Sequence, residues 1–163
     1  MQSKGRQREM SELLFKHFEL TRGRFVNFVA DLEEGIAGVQ PEGFNNNIHW
    51  HAGHVLTVAE QMMFGFPKKS TQLPARYMEL FASGTSPAAW EGDIPPMQEL
   101  IVQLQEQLTR IKEIPAESFT ERLKTPFLGQ ETFGELANFA IFHESIHLGQ
   151  MLAMKRVIKA TVK

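Results

Sequence analysis

Residues 46–54 read NNIHWHAGH and predict the start of a helix. Asparagine favours the position just before a helix, because its side-chain oxygen accepts a hydrogen bond from a backbone N–H that has no partner in the first turn. An apolar stripe follows at helical spacing, formed by Val55, Val58 and Met62. Gly65 and Pro67 then interrupt the pattern. We therefore predict a helix over residues 48–64.

Three further segments carry apolar residues at helical spacing. The first predicted helix covers about residues 7–33, and the third covers about residues 97–115. The fourth covers about residues 132–159. It begins at a capping box, in which Thr132 and Glu135 satisfy each other's free backbone donors.

The segment between the second and third predicted helices is long and rich in proline, glycine and serine. It covers residues 67–96, and only residues 75–81 predict a short helix within it. No segment shows the alternation that is typical of a β-strand. Four long helices with one long crossover predict an all-α four-helix bundle, in which the second and third helices run parallel. A length of 163 residues, 42% of them hydrophobic, predicts a single domain over residues 1–163.

The composition argues against several classes of protein. A formal net charge of -2 lacks the basic field expected of a nucleic-acid-binding protein. The charged N-terminal residues lead into no continuous apolar segment, so we predict neither a signal peptide nor a membrane span. We expect a cytoplasmic protein that acts on a small molecule. The chain has 6 histidines and no cysteine, which leaves histidine and carboxylate as its strong metal ligands.

Residues 143–147 read HESIH, which matches the zinc signature of metalloproteases. Two histidines four apart on a helix project from one face and can hold one metal ion. A protease of this kind needs a third ligand, usually downstream, but residues 148–163 contain neither histidine nor an acidic residue. A di-iron bundle needs a second Glu-x-x-His motif, which the chain lacks. A third imidazole would therefore come from another helix, and the second predicted helix offers His49, His51 and His54.

Two segments together resemble the DinB-like superfamily of bacterial four-helix bundles. One is the N-x-I-x-W-x-x-G-H pattern of residues 46–54, and the other is the H-x-x-x-H-x-G-Q pattern of residues 143–150. The resemblance covers nearly the whole chain and implies an up-down-down-up arrangement. It also implies a metal site formed by His54, His143 and His147. Histidine suits several divalent ions, so zinc, nickel, iron and manganese remain open.

Other polar residues near the two segments have more than one interpretation. Glu144 is either a general base or a solvated or interface carboxylate. His51 lies about 60° from His54 on the helical wheel, and is a fourth ligand, a proton shuttle or a core residue; we favour a place beside the ligands or in the pocket wall. Gln150 is a candidate for orienting a ligand or bound water. His49 and His17 are interpreted as surface or ordinary bundle residues.

The resemblance also implies a function. Characterised relatives include transferases and isomerases that use bacillithiol, mycothiol or glutathione, and a metal ion lowers the pKa of a thiol that binds it. We therefore expect a metal-dependent S-transferase of the bacillithiol type, with a low-molecular-weight thiol as co-substrate. The alternatives are a metal-dependent hydrolase of a small substrate and a non-catalytic metal-binding module of a stress response.

The resemblance further implies a homodimer, since relatives are often dimers. Candidate interface residues are apolar positions on the first predicted helix: Phe25, Phe28 and Val29.

Overall fold

The computed structural model of the protein describes residues 2–65 and 70–161. Within these ranges the chain forms five α-helices and one two-stranded sheet. The helices are α1 (Gln2–Ala30), α2 (Ile48–Phe64), α3 (Tyr77–Phe81), α4 (Met97–Lys112) and α5 (Phe133–Thr161). The strands are β1 (Arg122–Phe127) and β2 (Gln130–Thr132). The predicted helical fold class is confirmed, and no helix of the described ranges is long and apolar enough to cross a membrane.

Helix starts follow the cap signals that the sequence contains. Asn47 has an extended backbone, and its side-chain oxygen accepts a hydrogen bond of 2.8 Å from the backbone N–H of Trp50. At the start of α5, the Thr132 hydroxyl accepts from the backbone N–H of Glu135 at 3.2 Å. The Glu135 carboxylate accepts in return from the backbone N–H of Thr132 at 2.9 Å. Both caps lie at the predicted positions.

A buried polar layer crosses the four long helices. α1 packs against α4 and α5, and α2 packs against the same two helices. Each helix contributes apolar residues to two separate clusters, and a polar residue lies between them. The polar residues are Arg22 of α1, Glu60 of α2, Gln107 of α4 and Glu144 of α5, and each is at most 6% exposed. We call these four residues the polar layer.

The two strands were not predicted. β1 and β2 form an antiparallel hairpin whose turn contains Leu128 with φ of 48° and Gly129 with φ of 82°. Two successive residues with positive φ are typical of tight hairpin turns. Neither face of β1 is buried, so the alternation on which a strand prediction depends does not arise. The expectation that the chain contains no strand was therefore wrong.

The candidate dimer interface on α1 is not available in the folded chain. Phe25 is fully buried and Val29 is 3% exposed, because both belong to an apolar cluster of the core. Phe28 is half-buried. The exposed apolar side chains include Phe142 and Ile146 of α5 instead. The homodimer itself stays a prediction.

The crossover packs closely against α2 at Gly53. A Cβ atom at Gly53 would lie 2.3 Å from the ring of Phe81. That ring is fully buried and makes edge-to-face contacts with Tyr77 and Trp90, so it has little room to move. Glycine at this position lets α3 approach α2.

Replacing Gly53 by alanine tests this contact. Although alanine is the better helix former, we expect Gly53→Ala to lower the free energy of unfolding by about 1–3 kcal/mol through overpacking. Gly149 is the matched control, since a Cβ there would meet no heavy atom of the described residues within 4 Å. Gly149→Ala should raise the free energy of unfolding by about 0.5–1 kcal/mol. Urea unfolding measures both, and equal effects of the two substitutions would contradict the close approach.

Candidate metal centre

Three imidazoles converge between α2 and α5. The Nε2 atoms of His54 and His143 lie 3.2 Å apart, and those of His147 and His143 lie 3.1 Å apart. His143 and His147 are one helical turn apart on α5, while His54 faces them from α2. One ligand atom from each of the three lies within 4.8 Å of the others. The structure thus brings together the three histidines that the resemblance implies as ligands.

The geometry fits one metal ion. Nitrogen atoms that bind the same ion at about 2.1 Å lie roughly 3.0–3.4 Å from each other. The Nδ1–H of His54 donates a hydrogen bond of 2.6 Å to the carbonyl oxygen of Phe81. Its Nε2 atom therefore presents a lone pair to the other two rings. This arrangement of a ligand histidine held by a backbone carbonyl is common in metal sites.

Trp50 fixes the plane of the His54 ring. The indole stacks on the imidazole with centroids 4.4 Å apart and planes 14° apart. The indole N–H donates to the Thr85 hydroxyl at 2.8 Å, so Trp50 is itself held by the crossover. The orientation of His54 thus depends on residues of the segment that links α2 to α4.

His51 contacts the outer edge of a ligand ring. Its Nδ1 atom lies 2.7 Å from Nδ1 of His147, on the side of the ring opposite Nε2. A metal ion on Nε2 of His147 would leave the proton of this ring on Nδ1, where it would be donated in a hydrogen bond to His51. His51 is 5% exposed, so it forms part of the wall behind the ligands. It lies outside the group of three converging ligand atoms.

Glu144 does not face the imidazoles. Its two oxygen atoms accept hydrogen bonds from Nε and Nη2 of Arg22, at 2.8 Å and 2.9 Å. Both side chains are 1% exposed. The geometry therefore gives no support to Glu144 as a general base, and the carboxylate is neither solvated nor at an interface.

The other candidate residues lie away from the three imidazoles. Gln150 is exposed on α5. His49 hydrogen-bonds the carbonyl oxygen of Pro95 through Nε2 at 2.8 Å, and His17 is exposed on α1. Only His51 contacts a ligand candidate directly.

Arg22 was not predicted as part of the site. Its guanidinium also donates to the carbonyl oxygen of Leu104 at 2.7 Å and to Oε1 of Gln107 at 3.1 Å. Gln107 in turn donates to Glu60 at 2.7 Å. A charged residue between Phe18 and Phe25, on the apolar stripe of α1, was the signal available in the sequence.

The imidazoles of His51, His54, His143 and His147 are neutral at neutral pH. Burial, together with repulsion from neighbouring imidazoles, lowers the pKa of His51 and His143 to about 4 and that of His147 to about 2. Burial also lowers the pKa of His54, although its bond to the Phe81 carbonyl acts in the opposite direction. Neutral imidazole is the form that binds metal ions.

Comparisons with known proteins identify the family of the chain and a structure with a similar fold. A sequence model of the DinB superfamily matches residues 17–151. The chain belongs to the DinB superfamily. Among solved structures, that of a conserved protein from Enterococcus faecalis is similar, with a TM-score of 0.65 and 16% identity. The alignment covers 92% of this chain and 97% of that chain, and at this identity it shows the fold alone. No protein with a curated description matches the sequence.

The lowered pKa values of the histidines predict how stability depends on pH. The pKa of an unfolded histidine is about 6.5, so the unfolded chain binds protons at these positions before the folded chain does. We expect the free energy of unfolding of the metal-free protein to fall as the pH is lowered from 7 to 5.5. Urea unfolding across this range measures the slope. His147→Gln should flatten it, and a wild type whose stability stays constant would contradict the lowered pKa values.

The Arg22–Glu144 pair predicts a large cost for Glu144→Gln. Removing one charge leaves the other buried without its partner, so the free energy of unfolding should fall by about 3 kcal/mol or more. Glu131→Gln is the control, because the Glu131–Arg122 pair is exposed and should change stability by less than about 1 kcal/mol. Denaturant unfolding measures both. A Glu144→Gln protein as stable as the wild type would contradict the structural importance of the pair, and the role of Glu144 as a general base would have to be considered again.

Proposed function

We propose that this DinB-superfamily protein is a metal-dependent enzyme with one divalent ion held by His54, His143 and His147. The proposed reaction is thiol transfer of the bacillithiol type onto a small molecule. The observation that carries the proposal is the convergence of three imidazoles, with Nε2 of His143 lying 3.2 Å from Nε2 of His54 and 3.1 Å from Nε2 of His147. We further propose that the chain is a single cytoplasmic domain, with its long helices arranged up-down-down-up.

The donor set favours an anionic co-substrate. All three proposed ligands are neutral imidazoles, with no carboxylate in the group, so the charge of a bound ion is not reduced by the protein. Three ligands also leave coordination positions open. Zinc, nickel, iron or manganese bound there would lower the pKa of a thiol at an open position, so that thiolate forms near neutral pH.

The residues around the ligands have defined roles in this proposal. Phe81 and Trp50 hold the ring of His54 so that Nε2 points at the ion. His51 accepts a hydrogen bond from the Nδ1–H of His147, and this bond keeps the Nε2 lone pair of His147 available. The ion pair between Glu144 and Arg22 fixes the rotation of α5 about its own axis. None of these residues is proposed to bind the substrate.

Two alternatives are each favoured by an observation. A group of three histidines would leave a position of the ion open for water, and this favours a hydrolase of a small substrate. The three histidines also join α2 to α5, so a bound ion would stabilise the fold. Stabilisation of the fold by a bound ion is all that a non-catalytic stress-response module requires.

Metal content tests the proposed ligands. We expect about one divalent ion per chain in the wild-type protein, and little in a His54→Ala, His143→Ala double variant. His17→Ala is the control, since this histidine is exposed on α1. Elemental analysis of the purified proteins gives the answer. Equal metal in all three would show that these histidines do not hold the ion.

Turnover tests the reaction class. The metal-loaded protein is incubated with an aryl halide or an epoxide and with bacillithiol, mycothiol or glutathione. We expect thioether formation with at least one thiol, and loss of this activity in His147→Ala. Absence of turnover with every thiol, in protein of verified metal content, would overturn the transferase. Ester cleavage without added thiol would instead support the hydrolase.

A further inference from the structure

A cavity of about 950 Å³ lies against α2, between the crossover and the tip of the hairpin. Its wall includes apolar side chains from four parts of the chain: Val58, Leu73, Met78, Phe127 and Leu136. This volume is within the range of cavities that hold small molecules. None of the three proposed metal ligands lines it.

The cavity lies beside the metal centre along the seam between α2 and α5. His51 of α2 contacts His147 of α5, and His54 contacts His143, so the two helices run antiparallel. The path along α2 from His54 to Val58 therefore leads in the same direction as the path back along α5 from His143 to Leu136. At 1.5 Å per residue, Val58 lies about 6 Å beyond His54, and Leu136 lies about 10 Å beyond His143. The cavity thus begins about one helical turn from the imidazoles.

One polar group in the cavity wall lacks a partner. Thr57 lines the cavity one turn after His54 and is 3% exposed. Its hydroxyl forms no hydrogen bond with any residue that the structure describes.

We propose that this cavity binds the apolar body of the substrate that reacts at the metal centre. The substrate class is a small molecule with an aliphatic or aromatic body and a polar reactive end. The polar end lies at the imidazoles, and the body lies among Val58, Met78 and Leu136. This inference rests on the proposed metal-dependent function and adds its substrate class.

Alkyl hydroxamates of increasing chain length test the inference. Their head group binds divalent ions whatever the natural reaction is, and cobalt-loaded protein reports binding through its visible absorption spectrum. We expect the dissociation constant to fall by about fourfold for each methylene that enters the cavity, in the series acetohydroxamate, butyrohydroxamate and hexanohydroxamate. Equal affinity for short and long chains would overturn the cavity while leaving the metal centre intact. A spectrum that no hydroxamate changes would overturn the open metal site itself.

Substitutions in the wall locate the bound chain. Val58→Phe fills the cavity next to the metal centre, so it should reduce the ratio between the dissociation constants of acetohydroxamate and hexanohydroxamate by about tenfold or more. Val102→Phe is the matched control, because Val102 is exposed on α4 and lies outside the cavity. It should leave the ratio at the wild-type value. An equal ratio in both variants would place the alkyl chain elsewhere.

A second variant guards against misfolding of Val58→Phe, since Val58 also packs against an apolar cluster. Ala75 is exposed and lines the cavity from the crossover, so Ala75→Phe can fill the space with little effect on the core. It should reduce the same ratio in protein with a wild-type melting temperature and cobalt spectrum. A wild-type ratio in Ala75→Phe, together with one in Val58→Phe, would overturn the proposal.

Discussion

The ion pair between Arg22 and Glu144 is the contact on which the proposed metal centre depends. Glu144 follows His143 directly, and successive helical residues point about 100° apart. Because Arg22 holds Glu144 from α1 with two hydrogen bonds, the rotation of α5 about its axis is fixed. His143 and His147 then face α2 and meet His54. A rotation of α5 that moved Glu144 away from Arg22 would leave a buried charge without its partner. Such a rotation has a high free energy, so α5 has no low-energy alternative.

The rest of the polar layer extends this constraint to all four long helices. Gln107 of α4 links Arg22 to Glu60 of α2 through hydrogen bonds of 3.1 Å and 2.7 Å, and Arg110 closes the far end with two bonds to Glu60. Apolar clusters pack above and below the layer. Apolar packing alone tolerates small slips of one helix past another. A connected set of polar bonds does not, because any slip leaves a buried group unpaired.

Local signals in the sequence predicted local structure well. The Asn47 cap, the Thr132 capping box and the spacing of His143 and His147 each depend on residues within one or two turns. The role of Glu144 could not be read in this way, because its partner is 122 residues away and the HExxH pattern supplies a familiar but different role. The hairpin was missed because neither face of β1 is buried. The cavity was missed because it arises only when the crossover, the hairpin and α2 come together.

The short helix α3 contributes to two neighbouring parts of the molecule. The carbonyl oxygen of Phe81 orients His54, while Tyr77 and Met78, one turn earlier, line the cavity. A displacement of this single turn therefore alters both the direction of a proposed metal ligand and the space beside it. Linkage between two sites is reciprocal. A ligand that shifted α3 on entering the cavity would therefore change the affinity of the proposed site for an ion, and the ion would change the affinity of the cavity by the same factor.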